Sequence, residues 1–290
     1  MRHKKVENAA VLGIIGNVFL IIIKGIIAVI THSQAMLSDA MNSAGDILSS
    51  FMTFIGNKIA SKEADDDHNL GHGKAEYIFS MLISVVMIVT SVTLVITSIK
   101  SIFVNYDYKF SYGLLIICGI TFIVKLSLYF YTHKIAKEYN NLLVEANAID
   151  HRNDCILTLL TFIASIGGYF DITWIDGVIG ALVAIYIFKT GLELFKASYD
   201  ILMDKGIDLQ TKEEVLEIIK KYPEIKRINH FNSTPVGYQY QISLTIFVYG
   251  NLSTFESHDI ANRLEKDITK IESIYLTIIH VNPIEIEKDN

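Results

Sequence analysis

Cys155 to Phe170 is an uncharged, mostly apolar run of sixteen residues, and it is too short to do alone what its composition invites. As a helix it rises about 24 Å, against roughly 30 Å of hydrocarbon in a bilayer. A spanning helix here must draw in the residues before it. The segment then becomes Leu142–Phe170, LLVEANAIDHRNDCILTLLTFIASIGGYF, and places Asp150 and Asp154 at membrane depth. Four residues apart, their carboxylates project from one helical face. An ionisable group at that depth costs several kcal/mol and marks function by default. Two of them repel unless a cation lies between them, which is the shape of a metal site.

The rest of the chain agrees with a membrane reading. Just over half of its 290 residues are hydrophobic, mean hydropathy is +0.38, and long apolar runs recur until about residue 200. This is a polytopic membrane protein with a soluble tail, within one or two domains. A net charge of -6 argues against nucleic acid. Cys118 and Cys155 both lie in apolar segments and offer neither a disulfide framework nor a zinc-finger spacing. The start, MRHKK, precedes an apolar stretch too long for a signal peptide and without a cleavage site, so it reads as a retained first helix.

Six membrane segments can be drawn, at 9–30, 34–60, 76–104, 110–136, 142–170 and 174–197. The second is barely hydrophobic at its start and carries Asp39, Asn42 and Asp46. It must line a bundle interior or a water-filled cavity, and its small residues allow close helix approach. Lys24 and Lys125, inside apolar runs, are expected to snorkel or to pair. Arg2, Lys4, Lys5, Lys58, Lys62, Lys74, Lys134 and Lys137 fall on one side of the segments, Lys100 and Lys109 on the other. That bias puts both termini in the cytoplasm. From about residue 206 the composition turns to soluble α+β, giving a membrane domain over 1–205 and a cytoplasmic domain over 206–290. In the tail, a helix is expected over 211–221, opened by a Thr-x-Glu-Glu start, and a second over 253–270. Strands are expected at 224–231, 238–249 and 273–281.

Asn42 and Asp46 on the second segment, with Asp150 and Asp154 on the fifth, are two pairs at i, i+4. Facing helices that carry them supply three carboxylates and an amide oxygen. Such an all-oxygen shell suits hard cations such as Mn, Mg or Ca, whereas zinc is usually held through His or Cys. Hydrogen bonding between helices is the competing role, above all for Asn42. Asp39 and Asn147 share these faces as supporting or helix-end residues. In the second connection Asp65, His68 and His72 can chelate one ion. Gly71 and Gly73 interrupt any helix there, and a solvated acidic loop accounts for the run equally well.

Three motifs together identify a resemblance: Ser-Asp-Ala-x-Asn-Ser-x-x-Asp on the second segment, Asp-Asp-Asp-His-x-x-Gly-His-Gly-Lys-Ala-Glu after it, and Asp-His-Arg-x-Asp on the fifth. The chain resembles the cation diffusion facilitator family over essentially its whole length. The resemblance implies an all-α domain of six transmembrane helices with a ferredoxin/metallochaperone-like cytoplasmic α+β domain. It implies a homodimer in the plasma membrane that exports divalent metal by proton exchange, with no permanently bound cofactor and no enzymatic activity. The transport site falls on Asn42, Asp46, Asp150 and Asp154, and a peripheral site on Asp65, His68 and His72. Zinc-transporting members carry His, or Asp with His, where this chain has Asn42 and Asp150; the set here resembles the manganese-exporting branch. In the tail, His258 and His280 match metal-binding positions of zinc-binding members, but Ser243 and Asn282 stand where further ligands are expected, and His230 reads as a surface residue.

The expected function is therefore Mn²⁺/H⁺ antiport, with zinc, iron or cadmium export as the alternative within the family. An intramembrane metallohydrolase built on His68 and His72 lacks the Glu after the first His, where Asn69 stands. A passive channel differs in having no proton dependence.

Overall fold

The computed structural model describes residues 2–31, 34–103, 112–169 and 174–284. Asp39 and Asn42 lie on a described helical backbone, but their side chains fall outside the described residues. Six long helices come first: α1 (Arg2–Thr31), α2 (Gln34–Ala60), α3 (Ala75–Phe103), α4 (Tyr112–Tyr139), α5 (Leu142–Tyr169) and α6 (Trp174–Leu202). A mixed segment follows: α7 (Leu209–Lys220), β1 (Arg227–Val236), β2 (Gln239–Tyr249), α8 (Thr254–Ile268) and β3 (Ile274–Ile284). The chain forms two compact units. One is Met1–Lys62 with Ala75–Tyr199; the other is Glu63–Lys74 with Asp200–Asn290.

The helical unit buries many polar side chains beside its apolar ones and turns an apolar surface outward. Asn17, Lys24, Ser80, Ser84, Ser91, Lys125, Thr132 and His151 are buried, while Ile78, Leu82, Val85, Val89, Val92, Ile96 and Ile99 form an exposed stripe along α3. Apolar surface on that scale is stable against lipid, not water. Among the described residues, the helical spans Arg2–Ile26, Ala75–Lys100 and Leu115–Tyr139 are long and apolar enough to cross a bilayer by themselves. Polar positions lower the average on α2 and α5, and those positions meet neighbouring helices. The helix α5 packs on α1, α2, α3 and α4. One side of it joins Val144 to Val6, Ala9, Ile135 and Ala136, and the other joins Leu143 and Ala146 to Ile83, Met87 and Leu194.

The first helix starts seven residues earlier than expected because its polar beginning is anchored. Arg2 donates to buried Glu76 of α3 at 2.8 Å and to the Tyr139 carbonyl at 3.3 Å. Asn57 of α2 donates to the His3 carbonyl at 2.9 Å. These bonds satisfy backbone and charge that would otherwise fray into solvent. The close contact of α1 with α2 needs Gly13: a Cβ there would stand 2.6 Å from the Ser50 hydroxyl.

In the second unit the sheet order is β1-β2-β3, with β1 and β2 antiparallel and β2 and β3 parallel across α8. Ile242, Leu244, Ile246 and Val248 alternate on the buried face of β2 and pack with Val215, Ile219, Ile260, Leu264 and Ile268 of the two helices. The first tail helix is capped by Asp208, whose side chain accepts from the Thr211 backbone at 2.9 Å, and not by Thr211 itself. The second carries a complete capping box of Ser253 and Glu256. β1 lies three to five residues beyond its expected position. Its first candidate residues turn instead (the Ile225 amide bonds the Tyr222 carbonyl), and Ser233–Val236 pair with β2 through a two-residue hairpin. Gly237, at φ +60, supplies that turn. Pro235 is tolerated because β1 is an edge strand.

Candidate metal sites

Asp46 of α2 and Asp150 and Asp154 of α5 converge. One carboxylate oxygen from each lies within 4.8 Å of the others. Asp46 and Asp154 are buried and Asp150 is half-buried, and the Asp150 Oδ2 atom has no hydrogen-bond partner. Beside them is a cavity of about 60 Å³, lined also by Ser49, Thr90 and Asn153. That is room for water or a small ion, with Val86, Met87, Leu94, Leu157 and Ile187 completing the wall. An i, i+4 pair on α5 meets Asp46 because Ser49, Ser50 and Gly13 leave α1, α2 and α5 close together. The Ser50 hydroxyl reaches Asn147 Oδ1 at 3.5 Å. The side chain of Asn42, one turn before Asp46 on the same face, is outside the described residues.

The residue that sequence reasoning did not assign to this cluster is Lys125. It pairs, as expected of a lysine in an apolar run, but with the cluster itself. Its Nζ donates to Asp46 Oδ2 and to Asp154 Oδ2, at 2.6 Å each, and its side chain is 1% exposed. Lys125 thus ties α4 to both α2 and α5. Its position in an apolar run was the available signal; the face it presents depends on how α4 docks. Lys24 is also buried, with its ammonium donating to Ser43 of α2 at 3.0 Å. His151, within the Asp-His-Arg motif, is wholly buried, and both of its ring nitrogens lack a hydrogen-bond partner.

A second cluster lies in the connection between α2 and α3. Asp65 Oδ1 lies 3.1 Å from His68 Nδ1, and Asp65 Oδ2 lies 3.5 Å from His72 Nε2. The two imidazoles face each other with centroids 4.3 Å apart. The segment is irregular, and Gly71 adopts φ +74. Asp65 Oδ1 also accepts from the backbone of His68 at 2.7 Å and of Asp67 at 3.2 Å. The His68 backbone bond holds the Asp65 carboxyl below its ordinary value of 3.8. This connection packs on the hairpin of its own unit: a Cβ at Gly73 would stand 2.5 Å from the Gly237 Cα, and Lys74 pairs with Asp204 at 2.7 Å.

The tail residues are not gathered in this way. His258 on α8 and His280 on β3 are exposed, and neither belongs to a trio of His, Cys, Asp or Glu among the described residues. Ser243 pairs across the sheet with Ile278, and Asn282 with Phe247. His230 is exposed at φ +49 in the irregularity of β1.

Comparison with known proteins decides the family. Residues 10–203 match the cation efflux transmembrane domain, and residues 207–284 match the cation efflux protein cytoplasmic domain. The chain belongs to the cation efflux family. It is a transporter, not an enzyme. Among its relatives, the manganese efflux system protein MneP of Bacillus subtilis is 30% identical over 290 residues, covering 97% of both chains. The manganese efflux system protein MneS of the same organism is 29% identical, again over 97% of both. The magnetosome protein MamM of Magnetospirillum gryphiswaldense is 28% identical, over 91% of this chain and 85% of that protein. As a member of this family the chain is a membrane exporter of divalent metal with a C-terminal domain that contains strands.

Proposed function

We propose that the chain exports Mn²⁺ from the cytoplasm in exchange for protons, through a transport site formed by Asn42, Asp46, Asp150 and Asp154. The observation that carries this reading is the convergence of three carboxylates from two helices without an imidazole or thiolate among them. Oxygen ligands favour a hard cation, and on intrinsic affinity zinc outcompetes manganese for a given site, so selectivity has to come from ligand type and geometry. The likeness to two manganese efflux proteins along almost the whole chain supports the same metal. A carboxylate holds metal only when ionised, so metal and protons compete for one place. Opening that place alternately to each side couples the two fluxes.

The remaining organisation follows from this reading. Six helices span the plasma membrane of a bacterial-type cell, both termini are cytoplasmic, and residues 206–290 form a domain through which two copies associate. Asp65, His68 and His72 form a peripheral site outside the membrane. Side-by-side transport of Mn, Zn, Fe and Cd into proteoliposomes tests the assignment. Manganese is expected to be carried fastest at equal concentration; a clear preference for zinc would contradict it.

A further inference from the structure

Lys125 occupies the place that a metal ion would need. Its ammonium stands 2.6 Å from Asp46 Oδ2 and 2.6 Å from Asp154 Oδ2, between the helices that carry them. A hard divalent ion sits about 2.0–2.6 Å from its oxygen ligands. Ammonium and metal would therefore bond the same two oxygens from almost the same point, and two cations cannot share it. The side chain is almost wholly enclosed, so it is not a surface lysine drawn inward by chance. The Asp150 Oδ2 atom remains without a hydrogen-bond partner beside it, and the small cavity adjoins all three carboxylates.

We propose that Lys125 is the resident cation of the metal-free transport site, displaced by the incoming metal and restored when the metal leaves. This inference rests on the transport site proposed above. A lysine suits the role because its charge rides on a flexible four-carbon stem. Withdrawal of the ammonium frees one oxygen each of Asp46 and Asp154, and these join Asp150 around the ion. Its return neutralises the emptied carboxylates and ties α4 back to α2 and α5. Lys125 is thus a positioning residue that competes with the metal and sets how readily the metal is released. No bond is made or broken covalently; one cation replaces another at the same oxygens.

The test is equilibrium Mn²⁺ binding to the purified full-length protein, by calorimetry, in four forms: parent, Lys125→Met, Lys125→Arg and Asp154→Asn. Lys125→Met keeps an unbranched stem as far as the ε position and removes the ammonium and its competing charge. It is expected to bind Mn²⁺ at least about tenfold more tightly. Its thermal unfolding temperature is expected to fall without metal and to rise more on adding Mn²⁺ than the parent's does. Lys125→Arg puts a stronger, forked competitor in the same place and is expected to weaken binding. Should the Met variant fail to fold, the Arg variant decides: parental or tighter binding overturns the proposal. Parental or weaker binding in a folded Lys125→Met protein overturns it as well. The site reading has its own separate outcome, because unchanged Mn²⁺ binding in Asp154→Asn removes the transport site itself.

Discussion

Asp150 and Asp154 are a helical turn apart on α5, and the fold brings Asp46 to the same point from α2. Replacing any one of the three by Asn keeps its volume and removes a charge. Each such variant is expected to remain folded and to lose Mn²⁺ transport, measured as flux into proteoliposomes after a check of folding by size exclusion. A second prediction concerns which metal is carried. Introducing imidazole by Asp150→His, alone or with Asn42→His, is expected to move the Zn²⁺ to Mn²⁺ flux ratio toward zinc by about tenfold, a change of only 1.4 kcal/mol in relative binding. An unchanged ratio in both variants would detach selectivity from these side chains. Asp150 and Asp154 were legible in the sequence because a spanning segment could be completed only by including them, and Asp46 because its segment is too polar to face lipid all round. The role of Lys125 was not, since its partners sit 79 and 29 residues away and depend on how three helices dock.

At the scale of elements, close approach depends on a few glycines. Gly13→Val places a branched side chain against Ser50 and toward His151 Nε2, and these belong to α2 and α5. It is expected to cost about 1–3 kcal/mol through forced separation of α1, seen as a lower unfolding temperature in detergent. In the C-terminal unit the fully buried Leu264 anchors α8 on β2, so Leu264→Ala is expected to cost about 2–5 kcal/mol in chemical unfolding. The connection carrying Asp65 has a pH signature. Its carboxyl is held below 3.8, so the turn it caps keeps that contribution above the ordinary range and loses it as pH falls through the lower value. Protection of the His68 amide is expected to persist at about pH 4 and to vanish at every pH in Asp65→Ala, which removes the accepting oxygen. The tail elements were legible from their periodicity, while their ends were not. Asp208 displaced Thr211 as the cap, and the hairpin at Gly237 pulled β1 toward its C-terminal side.

Across the whole molecule, composition separates a helical unit with polar residues inside from a smaller unit with an apolar core, and each arrangement suits a different solvent. What composition did not reveal is that Glu63–Lys74 belongs to one compact unit with the C-terminal residues, because the Gly73–Gly237 approach and the Lys74–Asp204 pair carry no periodic signal. The central claim is that the carboxylates of Asp46, Asp150 and Asp154 exchange manganese for protons. It is tested most directly by Mn²⁺ flux into proteoliposomes across an imposed pH gradient, for the parent and for Asp46→Asn, Asp150→Asn and Asp154→Asn. The parent's flux is expected to rise with the gradient and to collapse when an ionophore dissipates it, and each variant is expected to stay at the level of empty liposomes. Flux in the parent that ignores the gradient, or parental flux in any folded variant, would contradict the claim.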